Sequence, residues 1–149
     1  MSEVAIQALT PEKVVPAVIM QLNEGQIEDA IASFADKFRF KDHGIGVEFH
    51  HKKSLAEFFQ KTREFYPDSS IHIDAIFVSG DHVIGQWAFQ TTLDGPSFAG
   101  QIWKVPVSLQ GASILRTENG KITDWTDYYD GLTARRSRLA AYFTDWGEL

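Results

Sequence analysis

Two hydrophobic periods divide the chain: helical spacing dominates residues 10–65, and strand alternation dominates from residue 71 onward. Thr10-Pro11-Glu12-Lys13 reads as a helix start, with Thr10 as the cap and Pro11 at the first helical position. Val14, Val15, Val18, Ile19 and Leu22 then mark one buried face, and Pro16 falls early enough in the helix to be tolerated. Asn23-Glu24-Gly25 closes it. The stretch 26–35 predicts a second short helix with Ile27, Ala30, Ile31 and Phe34 on one side. Phe38-Arg39-Phe40-Lys41 alternates as a strand and runs into the loop Asp42-His43-Gly44-Ile45-Gly46. Residues 54–65 predict a third helix that buries Leu55, Phe58, Phe59 and, at its end, Phe65; Pro67-Asp68 stops it.

The second half reads as a meander. Residues 71–79 alternate, Gly80-Asp81 makes a tight turn, and residues 82–93 continue as a partner strand. Asp94-Gly95-Pro96 turns the chain again. Residues 98–116 are long for one strand, so a bulge or bend is expected at Pro106 or Gly111. Asn119-Gly120 is a hairpin signal before a last strand over 121–130. The tail, 133–146, predicts a short helix with Arg135, Arg136 and Arg138 on its polar side. Helices followed by four consecutive antiparallel strands define an α+β class, and a long bent meander beside three helices suggests a cone enclosing a cavity. No repeat, low-complexity segment or linker interrupts the pattern, which predicts a single domain over residues 1–149.

Composition narrows the function classes. The 149 residues carry 14 Lys+Arg against 20 Asp+Glu, a net charge of −6 that argues against nucleic acid as a partner. The absence of cysteine excludes disulfides, thiolate metal sites and cysteine nucleophiles. No apolar run approaches the ~20 residues of a membrane span, and the first residues lack a signal-peptide pattern, so neither a membrane partner nor export is expected and a cytoplasmic location is the default. Phosphate loops, nucleophile elbows and dinucleotide fingerprints are all missing. Aromatics make up 13% of the chain, including four Trp, which suits either a ligand pocket or simple core filling.

Three stretches, FADKFRFKDHGIG (34–46), FYPDSSIHIDAIFVSGDHVIGQW (65–87) and LRTENGKITDWTDYYDGL (115–132), occur in an order and spacing that resembles the nuclear-transport-factor-2-like superfamily, and within it the SnoaL-like polyketide cyclases. The strand from Trp125 to Asp130 is also similar to that of limonene-epoxide hydrolases. The resemblance spans roughly residues 10–132. It implies a cone-shaped α+β barrel: a curved, mainly antiparallel sheet packed on three N-terminal helices, with a short C-terminal helix. It also implies a homodimer formed through the outer sheet face. The reaction is left open, because relatives include cyclases, isomerases, dehydratases, epoxide hydrolases and proteins that only bind.

Candidate chemistry concentrates in the last strand. Alternation places Thr123, Trp125, Asp127 and Tyr129 on one face and Ile122, Asp124, Thr126 and Tyr128 on the other. In the cyclases and the epoxide hydrolases, the aspartate at the position of Asp127 faces the pocket as acid/base. Packing against Trp125 and Tyr129 would desolvate this carboxyl and raise its pKa. An edge-strand carboxylate bonded to a nearby Arg is the structural alternative. Asp124 and Asp130 read as surface and strand-end residues.

Asp42 is the second carboxyl; its position resembles the general base of the ketosteroid isomerases, and an Asx turn is the alternative. His43 beside it could shuttle protons or be merely solvated. His50, His51 and Glu48 do not have metal-ligand spacing, so no metal is expected. The wall of the expected pocket comprises Phe40, Trp87, Phe89, Trp103, Trp125 and Tyr129, with Gln101 as a further polar point. Where epoxide hydrolases carry an Arg and a second Asp, this chain has Trp87 and Phe89, which removes their water-activating unit unless Arg39 or the tail supplies an Arg. The histidine typical of the cyclases is also absent after this strand. The expectation is a cofactor-free acid/base enzyme for a hydrophobic polyketide-, steroid- or terpenoid-like molecule, with Asp127, Asp42 and His43 carrying protons. The alternative is a non-catalytic binding or dimerising module with Trp87 and Phe89 plugging the cone.

Overall fold

The computed structural model describes residues 10–94 and 104–133. The elements run α1 (Pro11–Asn23), α2 (Ile27–Ala32), β1 (Phe34–Asp42), β2 (Val47–Phe49), α3 (Lys52–Phe65), β3 (Ser70–Ser79), β4 (His82–Asp94), β5 (Lys104–Glu118) and β6 (Lys121–Tyr129). One curved six-stranded sheet has the order β2-β1-β6-β5-β4-β3, antiparallel throughout except where β1 runs parallel to β6. The sheet does not close on itself, so the architecture is an open α+β cone rather than a barrel. The expected tail helix lies outside the described residues. Among the described residues no helix is long and apolar enough to cross a membrane.

The helical stripes account for the packing. Val14, Val15, Val18 and Ile19 bury one face of α1, and Ala30 and Ile31 bury that of α2. Leu55 is the fully buried residue of α3, with Phe58 and Phe59 packed beside it. They meet the concave sheet face at Phe34, Phe38 and Phe40 of β1 and at Trp125 of β6, whose rings stand 5.1–6.5 Å apart centre to centre. Rings at this spacing combine large apolar burial with favourable edge and offset contacts. Phe65 does not join them. It is 78% exposed, because it falls off the trailing edge of the α3 stripe, and Tyr66 takes the inward direction.

Three local departures from simple alternation shape the concave face. Thr123 is an extra residue between Ile122, opposite Thr117, and Asp124, opposite Arg116. This bulge turns Ile122 into the core with Trp125, correcting the assignment of Ile122 to the outer face. Asp74 is a second extra residue between the pairs Ile73–Trp87 and Ala75–Gln86. After it, Ile76 packs inward and Phe77 is exposed. Third, helix α2 stops at Ala32, and Phe34 begins a strand, because the Ile122 amide donates to the Ser33 carbonyl and draws this segment into the sheet. No register shift occurs at Pro106 or Gly111, and β4 and β5 pair continuously from Asp94–Lys104 to His82–Arg116.

Candidate active site

The concave face and the helices enclose a cavity of about 270 Å³. Its lining includes Phe40, Asp42, Phe58, Phe59, Arg63, Tyr66, Trp87, Phe89, Ser113, Trp125, Asp127 and Tyr129. Trp87 and Phe89 form wall and leave this space open. Trp103 and Gln101 lie outside the described residues.

Asp127 and Asp42 are brought together by the parallel β1–β6 pairing, which makes them direct register partners. Neither lies within ion-pair distance of a Lys or Arg among the described residues. The Asp127 carboxyl instead takes neutral donors. Ser113 Oγ–H and Trp125 Nε1–H each donate to Oδ1 at 2.5 Å, and Trp87 Nε1–H donates to Ser113 Oγ at 2.8 Å. Among the described residues Oδ2 accepts from no protein group, so any proton that the carboxyl carries belongs on that oxygen. Burial pushes the Asp127 pKa up to about 7. The Ser113 and Trp125 hydrogen bonds oppose that rise, and the Asp42 charge adds to it.

Asp42 is 5% exposed and receives donors at both oxygens: Ile45 N–H on Oδ1 at 3.1 Å and Tyr129 Oη–H on Oδ2 at 3.0 Å. The Asx-type turn and the cavity placement are therefore both present in one residue. Desolvation, followed by the Asp42 charge and hydrogen bond, raises the Tyr129 pKa, so the phenol stays protonated as a donor. Two glycines fit this arrangement. A Cβ on Gly44 would lie 2.1 Å from Tyr129 Cζ, and one on Gly131 would lie 2.0 Å from the Gly44 carbonyl oxygen. Gly111 does the same for the Trp87 indole, whose Cη2 would stand 2.5 Å from an added Cβ.

His43 is placed differently from Asp42. Its ring stacks on Tyr128 at 4.6 Å and 13°, outside the cavity lining, while its amide donates to the Asp127 carbonyl at 3.0 Å. Asp124 also faces away and receives Arg39 Nε–H at 2.9 Å. Arg39 therefore serves Asp124, not Asp127. Asp130 ends the strand and accepts the Leu132 amide at 2.9 Å. His50 Nε2 lies 3.5 Å from Glu48 and His51 precedes α3; among the described residues no three potential metal ligands converge.

Ser113 and Arg63 were not singled out from the sequence. The signal for Ser113 was available: it sits in phase with Val105, Val107, Leu109 and Leu115, a hydroxyl on the inward face of β5. Arg63 follows Phe59 by four residues and Leu55 by eight, so helical spacing puts it at the edge of the inward side of α3.

The family model for SnoaL-like polyketide cyclases matches residues 12–138. The chain belongs to that family. Several solved structures share the SnoaL-like fold. A Catenulispora acidiphila protein with a ketosteroid isomerase-like fold, solved with trimethylamine, is 20% identical, with a TM-score of 0.74 over 87% of this chain and 94% of that one. IdmH of Streptomyces antibioticus, proposed to be a polyketide cyclase, is 18% identical, with a TM-score of 0.75 over 87% and 98%. An M. tuberculosis epoxide hydrolase of the limonene-epoxide hydrolase-like type is 16% identical, with a TM-score of 0.69 over 89% and 92%. At these identities the likeness establishes the fold alone. No curated protein matches significantly.

Proposed function

We propose that this chain is a proton-transfer enzyme of the cyclase or isomerase type, acting on an apolar polyketide-, steroid- or terpenoid-like molecule held in the cavity. The observation that carries this reading is the Asp127 carboxyl, half-buried in the cavity wall with no cation within ion-pair distance among the described residues, fixed through Oδ1, and poised to titrate near pH 7 beside Asp42. A carboxyl with a pKa near the working pH exchanges protons efficiently in either direction. In the protonated state, Oδ2–H is the donor to a carbonyl oxygen of the ligand. As that proton is delivered, a proton lost from the adjacent carbon passes to the second carboxylate, Asp42, and an enol forms. Return of the Asp42 proton to another carbon, with the enol proton going back to Asp127, completes an isomerisation. Attack of the enol carbon on a second carbonyl closes a ring, the enol proton returning to Asp127 and the Asp42 proton passing to the new alkoxide. The aromatic wall supplies shape and excludes water, which strengthens the hydrogen bonds that act on the developing charge.

The test is α-proton exchange of 2-tetralone in D2O, followed by NMR. The wild-type protein accelerates exchange, and Asp127→Asn, which keeps an acceptor for Ser113 and Trp125, lowers it by about 100-fold or more. Undiminished exchange in Asp127→Asn would refute the acid/base role.

A further inference from the structure

Opposite the carboxyl pole, the same cavity contains one cation among its described lining residues, Arg63. Its Nη1–H donates to the carbonyls of Leu22 and Asn23, at 3.3 and 3.0 Å, which satisfies the C-terminal end of α1. These bonds use one of the three guanidinium nitrogens. Gly25, in the left-handed region with φ +75°, covers the plane of the group: an added Cβ would stand 2.9 Å from both Cζ and Nε. Among the described residues, the edge formed by Nε–H and Nη2–H has no hydrogen-bond partner, and no carboxylate lies within ion-pair distance of Arg63. In a protein of net charge −6 this is an unusual omission. Arg39 shows what that edge does when a carboxylate is present: its Nε and Nη2 bind the two oxygens of Asp124 at 2.9 and 3.3 Å.

We infer that Arg63 is a carboxylate-binding pole, and that the cavity takes an apolar acid whose carboxylate sits on the Nε–Nη2 edge while its reacting end reaches Asp127. The substrate class rests on the proton-transfer reading above; the anion site itself does not. Arg63 bonds the Asn23 carbonyl, and the Asn23 side chain pairs with Ile71 at the start of β3, whereas Asp127 lies on β6, three strands across the sheet; all four residues line the one cavity. An elongated fused-ring acid suits a cavity whose polar groups are separated in this way. A planar fork held in place by backbone carbonyls recognises a carboxylate through two parallel charge-assisted bonds, and little side-chain entropy remains to be lost.

The experiment compares anthracene-2-carboxylate with anthracene-2-carboxamide by fluorescence anisotropy on the full chain, at low and high salt. The wild type binds the acid about tenfold more tightly than the amide, and salt narrows the gap. Arg63→Met reduces the preference to within about twofold while amide affinity is unchanged, and Arg63→Lys leaves a partial preference because it keeps the charge without the fork. Equal affinities in the wild type, no binding of the acid, or full preference surviving in either variant would each overturn the inference. Acid preference together with undiminished exchange in Asp127→Asn removes the proposed reaction and leaves the anion site standing. Lost exchange in Asp127→Asn without acid preference in the wild type does the reverse.

Discussion

Asp124 and Asp127 stand three residues apart on one strand and have opposite environments. Asp124 lies on the convex face, half-buried, with Arg39 forked across its oxygens and Thr126 beside it. Asp127 lies on the concave face with a serine, an indole and a second carboxyl, and among the described residues no cation is within ion-pair distance of it. The first is paired with a guanidinium at the protein surface. The second is held close to neutrality by burial, and only hydrogen bonds limit the rise of its pKa. The sheet has thus divided one residue type into a structural anion and a proton carrier, through which face each occupies and which neighbours that face supplies.

Stability against pH separates the two most sharply. A carboxyl whose folded pKa is raised from the ordinary carboxylate value to about 7 contributes stability below the lower value and loses it as pH rises through the higher one. Replacing Asp127 with Asn removes that loss. Thermal and urea unfolding of Asp127→Asn against the wild type should show a relative gain that is absent near pH 4, grows between about pH 4 and 7, and approaches on the order of 4 kcal/mol at pH 8 as an upper bound. A pH-independent difference would mean that the carboxyl stays ionised when folded.

Ser113 offers a finer probe of the concave side. Ser113→Ala removes a hydrogen bond that lowers the Asp127 pKa and leaves the Trp87 N–H without its acceptor. The expected outcome is a cost of about 1–3 kcal/mol, with the midpoint of α-proton exchange against pH moving to higher pH. An unchanged midpoint with the same loss of stability would reduce Ser113 to a packing residue. The convex pair should respond least. Asp124→Asn breaks a partly solvated ion pair, so it should cost less than about 1 kcal/mol, weaken further with salt, and leave exchange within about twofold of wild type. A large kinetic effect there would collapse the distinction between the faces.

Much of this was legible from alternation and helical spacing. The stripes of α1 and α3, the hairpins at Gly80-Asp81 and Asn119-Gly120, and the common face of Trp125, Asp127 and Tyr129 follow from periods that local geometry imposes. The errors share a cause. Unbroken parity puts Ile122 on the face opposite Trp125, and the extra residue Thr123 reverses it; Asp74 interrupts the alternation of residues 71–79 in the same way. Bulges form where partner strands of unequal path must stay paired, and one strand's sequence does not state its partner's path. Strand β2 was missed because three residues are too few to show a period.

The sequence by itself determined the family, the element order and the identity of one inward carboxyl, because these depend on local spacing and on motifs contiguous in the chain. Only the tertiary structure decided that Asp42 and Asp127 are neighbours, that His43 turns away from both, and that Ser113 and Arg63 share their cavity. Those relations arise from strand pairing and helix packing between segments far apart in sequence, such as the 85 residues separating Asp42 from Asp127. Charge and burial at a site are set by what such pairing brings opposite it, and no single stretch of chain contains that information.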